Sequence, residues 1–286
     1  MQSSGNIIIE ARAVSFTYPG AAVEAPPALS GINLAVKKGD YIALIGPNGS
    51  GKTTLLKLFN ALLQPTGGEI IVKGISTADE EKLPLVRRYC GMIFQNPDNQ
   101  LVGTTVEEDI AFGPENLALE PSIIRERVAS VSEKMGLAHL AKHPPHQLSG
   151  GEKQRVAIAG VLAMQPLCLL MDEPTAMLDP AGRNEVLSTV ENLNREEDIA
   201  VIHVTHYPEE AALARKVVLL DDGCIAAEGD PRDVLTDLKL LHRLGLQGTA
   251  AVELAAMLKN DGFEFPPRLL HSRELVHEIC SSAQKI

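Results

Sequence analysis

The octapeptide Gly46-Pro47-Asn48-Gly49-Ser50-Gly51-Lys52-Thr53 follows the apolar run Tyr41–Ile45 and opens into a segment of helical periodicity, 51–63. This is the GxxxxGK(S/T) arrangement in a strand–loop–helix setting. Glycines let successive backbone N–H groups turn inward around phosphate oxygens, and the start of the following helix adds its positive dipole end. Lys52 is expected to reach the outer phosphates of a nucleotide, the Thr53 hydroxyl to ligate Mg2+, and Thr54 to complete the set. The loop by itself fits kinases, GTPases, motors and transport ATPases alike.

A second chemical element is "PLCLLMDEP" at 166–174, an apolar strand ending in two adjacent acids. Asp172 is suited to holding Mg2+ through water and Glu173 to orienting and deprotonating the attacking water, two tasks that phosphoryl transfer needs side by side. A third is "HQLSGGEKQRVAIAGVLA", immediately before that strand. Ser149 with Glu152 three residues on reads as a capping box opening a helix. Gly150 and Gly151 leave the N–H groups of that helix end open to an anion. Since the phosphate loop already serves the chain's own nucleotide, this second helix end is useful if it faces the nucleotide of another copy.

Strand-like runs at 6–16, 30–36, 41–45, 69–73, 90–94, 167–172, 199–204, 216–220 and 224–228 alternate with helical patterns at 51–63, 122–135, 152–165, 182–196 and 207–214. Mostly helical, polar material around 104–146 interrupts this alternation. The pattern predicts an α/β core carrying a helical subdomain, about 96–165. After residue 235 short helices broken by Gly and Pro suggest a small appendix, 236–286.

"LSGGE" at 148–152 followed by "LLMDEPT" at 169–175 is a combination that resembles the ATP-binding cassette (ABC) ATPases, over roughly residues 6–235. The resemblance implies a P-loop NTPase core with an antiparallel β subdomain and a helical subdomain. It also implies a head-to-tail dimer in which ATP lies between one phosphate loop and the partner's Ser149, Gly150, Gly151 and Glu152. Tyr18 in "FTYPG" resembles the aromatic that stacks on adenine. Gln95 resembles the glutamine that touches Mg2+ and the attacking water, and Asp179 in "AMLD" resembles the loop that crosses the dimer interface. His206 in "HVTHYPEEA" resembles the switch histidine on the γ-phosphate. The stretch "PGAAVEAPPALS" after Tyr18 is long for a strand connection, which bears on the adenine contact.

The amide-rich stretch "QNPDNQLVG" at 95–103, with "TTVEEDIAFGPENLAL" behind it, narrows the likeness. It resembles the linker of the energy-coupling factor ATPases, which power uptake of vitamins or transition-metal ions. On that likeness Pro97, Asp98, Gln100, Leu101 and Val102 dock a membrane scaffold (T component), which works with a separate substrate-capture protein (S component). The ATPase then sits peripherally on the cytoplasmic face of the cell membrane, and the appendix helps hold its dimer, with itself or a paralogue. For Asp98 an alternative reading is a helix cap. An ATPase of an ordinary importer or exporter remains the nearest alternative overall.

Bulk properties set the exclusions. The 286 residues carry a formal net charge of −11, are 45% hydrophobic and 22% charged, and contain four dispersed cysteines without a CxxC pair. The acidity argues against nucleic acid as a main partner, and the cysteine pattern suggests reduced thiols rather than a metal site or disulfide frame. The N-terminus lacks the basic start and apolar block of a signal peptide. DNA-repair cassettes, translation factors with two cassettes in one chain, and nucleotide kinases fit less well, the last because they need no LSGGE. His203 is read as structural. His139, His143 and His146 are not read as a metal site, since Pro144-Pro145 breaks any helix between them. "VELAAMLKN" is read as packing within the appendix.

Overall fold

The structure, a computed structural model, describes residues 6–20 and 26–283; residues 1–5, 21–25 in the connection after Tyr18, and 284–286 of the appendix lie outside the described residues. In chain order the elements are β1 (Ile7–Phe16), β2 (Leu29–Lys37), β3 (Tyr41–Ile45), α1 (Lys52–Phe59), β4 (Gly67–Val72), β5 (Ile75–Ser76), α2 (Leu83–Tyr89) and β6 (Cys90–Ile93). They continue with α3 (Val106–Asn116), α4 (Pro121–Lys134), α5 (Gly150–Leu162), β7 (Cys168–Asp172), α6 (Pro180–Glu197), β8 (Ala200–Val204) and α7 (Pro208–Ala211). Then come β9 (Lys216–Asp221), β10 (Cys224–Gly229), α8 (Pro231–Val234), α9 (Leu238–Arg243), α10 (Ala250–Asn260) and α11 (Ser272–Ala283).

Two sheets form. An antiparallel sheet has the order β2-β1-β4-β5, and a six-stranded sheet has the order β10-β9-β3-β8-β7-β6. Within the larger sheet β3, β6, β7, β8 and β9 run parallel, and β10 is an antiparallel edge. All five residues of β3, β7 and β8 are buried. This is why these strands read as continuous apolar runs: a parallel sheet is covered on both faces. Alternation then sorts their side chains. Ile42 and Leu44 enter the core between the two sheets, with Leu55, Leu56, Leu58 and Phe59 of α1. Tyr41, Ala43 and Ile45 enter the opposite core, with α5 and α6. Full burial of such a side chain contributes roughly 1.5–3 kcal/mol, so α1 is held mainly by its apolar face.

Between β6 and β7 lie three helices, with α3 packed on α4 and α5. Thr105 and Glu108 make a capping box at the start of α3, whose interior Pro114 lies near its end. The helix read over 207–214 is regular only through Pro208–Ala211. His203 is wholly buried on β8, with Nδ1 3.4 Å from the Tyr41 hydroxyl. The appendix is not detached: Leu241 of α9, Val252 of α10 and Leu270 join the main core. Ala251, Leu269 and Leu275 make a small cluster of their own. In α10 only Ala251 and Val252 are buried, while Leu254 and Met257 stand exposed. No helix of the described residues is long and apolar enough to cross a membrane.

Candidate nucleotide site

The loop between β3 and α1 is fixed by backbone geometry that only glycine meets without strain. Gly46 has φ +151°, and a Cβ there would lie 2.1 Å from the Leu220 carbonyl oxygen. Gly51 has φ +100°, and its Cβ would lie 2.6 Å from the Ala28 oxygen. Gly51 is the N-cap of α1, with no side-chain cap and no acid in the first turn. The helix therefore offers its N–H groups and positive end to an anion. The Ser50 hydroxyl is buried without a partner among the described residues. Lys52 Nζ curls back to donate to the oxygens of Gly46 and Pro47, both at 2.8 Å. Burial pushes its pKa below the usual lysine value. Asn48 and Gly49 are exposed at the loop's crest. Tyr18, 44% exposed, shares a 2.8 Å hydrogen bond with the Thr54 hydroxyl and stands edge-on to Phe16. The ring thus flanks the loop.

The acids arrive at the end of β7, and His206 lies just past the end of β8. Thr53 Oγ1 donates to Asp172 Oδ1 at 2.9 Å. Burial raises the Asp172 pKa. Glu173 takes the left-handed backbone, φ +48°, and its N–H donates to the Val204 oxygen at 3.1 Å. That turn aims the carboxylate at two neighbours. Gln95 Nε2 donates to Oε2 at 3.1 Å, and His206 Nε2 lies 2.6 Å from Oε1. Gln95, Glu173 and His206, distant in sequence, thus meet at one carboxylate. The buried, unpartnered Ser50 hydroxyl and the glycine cradle fit a phosphate group. The oxygen donors of Thr53, Asp172 and Gln95 suit a hard cation such as Mg2+.

Ser149, Gly150, Gly151 and Glu152 stand elsewhere. Ser149 caps α5, and its N–H and hydroxyl donate to Glu152 at 2.8 and 2.7 Å, which holds the Glu152 carboxyl below its usual range. Asp179 caps α6 by accepting from the Gly182 N–H at 2.8 Å. The two helix starts are neighbours: a Cβ on Gly151 would lie 3.3 Å from Gly182 Cα. Among the described residues no hydrogen bond or ion pair joins 149–152 to the phosphate loop.

The linker 95–103 divides its labour more finely than its sequence suggests. Asn96 caps a short 3-10 turn, Pro97–Asn99, by accepting from the Asp98 N–H. Asp98 itself pairs with Lys153 Nζ of α5 at 2.7 Å and caps no helix. Pro97 is buried. Gln100 is turned inward, accepting from Phe94 N–H at 3.2 Å. Leu101 packs half-buried on the core, so of the two apolar residues given to docking only Val102, 61% exposed, stands out. The turn explains this, since it rolls Leu101 under the chain. Buried Asp109 accepts from the N–H groups of Val102 and Gly103 at 2.6 and 2.8 Å and pins the linker to α3.

Sequence reasoning missed Glu210. This carboxylate is 2% exposed and is met by Thr175, Thr205, His203 and Arg183. A glutamate four residues past His206 on a short helix carries no periodic mark of burial.

With this geometry in view, the comparisons with known proteins are specific. The ABC transporter family profile matches residues 29–176. The chain belongs to that family, the ATP-binding cassette ATPases of membrane transport. It is 49% identical over 96% of its length, and 99% of the relative's, to the energy-coupling factor transporter ATP-binding protein EcfA1 of Caldanaerobacter subterraneus subsp. tengcongensis. To EcfA1 of Clostridium perfringens it is 46% identical over 96% and 99% of the two chains. Within the family it belongs with the energy-coupling factor transporter ATP-binding proteins, and its activity is ATP hydrolysis in the service of uptake transport. The solved structure of cbiO1 from Clostridium perfringens, part of the ABC transporter complex cbiONQ, superposes with a TM-score of 0.76 at 32% identity, over 89% of this chain and 99% of that one. A dimeric cassette, MJ0796, bound to ADP and Pi in a post-hydrolysis state, matches with a TM-score of 0.70 at 32% identity, over 78% and 99%.

Proposed function

We propose that hydrolysis runs at the Gln95–Glu173–His206 cluster and is transmitted to a membrane partner through the linker that begins at Gln95. ATP binds along Gly46–Thr54 with adenine against Tyr18. Mg2+, held by Thr53, Gln95 and Asp172, supplies charge neutralisation of the phosphates. Glu173 takes the proton of the attacking water, Gln95 orients that water, and His206 donates to the γ-phosphate. Such placement does most of the work of phosphoryl transfer. The other half of the site comes from Ser149–Glu152 and Asp179 of a second cassette ATPase, a copy or a paralogue. The dimeric state of MJ0796 supports this reading.

The chain divides into a cassette, 6–235, and an extension, 236–286, that serves the ATPase dimer. Its exposed Leu254, Met257 and Val276 support that role. The partners are then a membrane scaffold and a separate substrate-capture protein, with the ATPase peripheral on the cytoplasmic face. The substrate, a vitamin or a transition-metal ion, is bound elsewhere than on this chain.

The observation that carries the docking proposal is continuity. Gln95 touches the base, and the same linker surfaces at Val102, which lines a cavity of about 350 Å3 with Leu62, Phe112 and Met164. Leu62, Val102 and Phe112 are exposed there, at 45%, 61% and 51%. An apolar cleft of this kind suits an inserted helix. The experiment is Val102→Asp with Phe112→Ser in the complex purified from membranes. The expected result is a folded chain with basal ATP turnover that no longer retains the membrane scaffold. Full retention by the folded double variant contradicts docking at this cleft.

A further inference from the structure

Two loops carry the groups assigned to chemistry, and neither is held by regular structure. One runs from Glu173 to the start of α6, and the other joins β8 to α7 through His206. Both end on the same buried side chain. Thr175 Oγ1 donates to Glu210 Oε1 at 2.7 Å, and Thr205 Oγ1 donates to Glu210 Oε2 at 2.5 Å. The Thr205 hydroxyl also accepts from the Tyr207 N–H at 3.1 Å, so it spans His206 from both sides. Thr175, Thr205 and Glu210 are all 2% exposed or less.

Further groups converge on this carboxylate. His203 Nε2 lies 3.4 Å from Oε2. Arg183 of α6 brings Nε to 3.6 Å from Oε1 and lays its guanidinium over the Tyr207 ring, 3.8 Å from the centroid. Burial pushes the Glu210 carboxyl up, but His203, Thr205 and Thr175 together hold it below the usual range. A buried carboxylate left with unmet oxygens is costly, so this one constrains whatever meets it.

We propose that Glu210 is a positioning residue for ATP hydrolysis: its two oxygens hold the Glu173 loop and the His206 loop in register with each other. The Glu173 N–H on the Val204 oxygen ties the two loops only where they leave β7 and β8. The carboxylate sets the distance between the loops, and with it the 2.6 Å approach of His206 to Glu173. Arg183 extends the link to α6, whose first turn Asp179 caps. The proposal rests on the assignment of Glu173 and His206 to catalysis.

The test measures kcat and KM for ATP in the full-length chain for Thr205→Val, Thr205→Ser, Glu210→Gln and Glu173→Gln, beside a melting curve for each. Thr205→Val keeps size but removes the hydroxyl, and Thr205→Ser keeps the hydroxyl but removes a buried methyl. Thr205→Val and Glu210→Gln should lower kcat about 10–100-fold, the scale of a small misplacement of reacting groups, with KM changed less than about threefold. Thr205→Ser should recover kcat to within about threefold of the parent. A merely structural role predicts that kcat follows the melting curve, not the hydroxyl. Parental kcat in folded Thr205→Val, with turnover lost in Glu173→Gln, overturns the positioning role alone. Parental kcat in Glu173→Gln overturns the catalytic assignment beneath it. If Glu210→Gln does not fold, the Val/Ser pair at 205 decides.

Discussion

Nε2 of His206 stands 2.6 Å from Oε1 of Glu173, joining the loop after β8 to the end of β7. The contact gives the histidine a direct hold on the proposed base, which Gln95 meets from the other side. His206→Ala should therefore leave nucleotide binding at the phosphate loop intact and lower turnover about 10²–10³-fold, the usual worth of one positioned donor to developing charge. Equilibrium ATP binding and steady-state turnover on the same preparation check both halves.

Proton linkage at the phosphate site follows from the two buried charges. Burial raises Asp172 above its ordinary 3.8 and lowers Lys52 below its ordinary 10.5. Because the folded chain binds its Asp172 proton more tightly than the unfolded chain, this group's contribution to stability falls as pH rises from about 3.8 through the folded value. Nucleotide phosphates next to Lys52 favour its charged form, and a cation beside Asp172 favours the carboxylate. Binding of Mg-ATP should take up protons on the alkaline side and release them on the acid side. Calorimetry in buffers of differing ionisation enthalpy measures this, and Asp172→Asn should abolish the acid-side release.

The start of α5 offers a clean test of the shared site. Gly150 is exposed, and a Cβ there makes ordinary contacts with Leu178 Cδ2 at 3.4 Å and the Met177 oxygen at 3.9 Å, whereas Gly151 faces Gly182 backbone. A carboxylate in the first turn of a helix favours that helix by a few tenths to about 1 kcal/mol. Gly150→Asp should thus fold normally and bind ATP at its own phosphate loop, while repelling the phosphate that a partner presents. ATP-driven dimerisation should be lost on sizing chromatography. A dimer of parental stability would place the partner's nucleotide elsewhere.

The extension carries its own pH dependence. Arg232 of α8 donates to Glu274 of α11 through both Nη atoms, and the Leu270 and His271 N–H groups add to this, so the Glu274 carboxyl falls from 4.5 to about 2. A depressed carboxylate stabilises docking above its unfolded value and loses that contribution as pH falls through the folded one. Protection of residues 270–281 from hydrogen exchange should hold above about pH 4.5 and fade toward about pH 2. Glu274→Gln should remove this dependence while leaving exchange in β3 and β7 unchanged.

What the sequence made legible was whatever depends on neighbours in the chain. The loop at 46–53 must turn at glycines and open a helix, so its residues announce themselves. Asp172 and Glu173 close an apolar run whose burial is plain from composition. Ser149 and Glu152 form their capping box within one turn. Gln95 and His206 were reached by family likeness, and their meeting at Glu173 depends on strand order β8-β7-β6, which no local pattern encodes. The linker was harder. A 3-10 turn decides which side chains of Pro97–Val102 face inward, and it turned Gln100 and Leu101 toward the body. Glu210 was hidden because its partners lie at 175, 183, 203 and 205, and its burial is a property of their assembly.

If Glu173 supplies the base and ATP closes two chains around one another, a single variant should show both. Glu173→Gln keeps the hydrogen bond to Gln95 within reach and removes the proton acceptor. The variant should bind ATP with near-parental affinity, accumulate as an ATP-dependent dimer on sizing chromatography, and turn over about 10²–10⁴-fold more slowly, the range for a positioned acid–base group. Parental turnover in a well-folded Glu173→Gln chain, with no ATP-dependent dimer, would contradict the account.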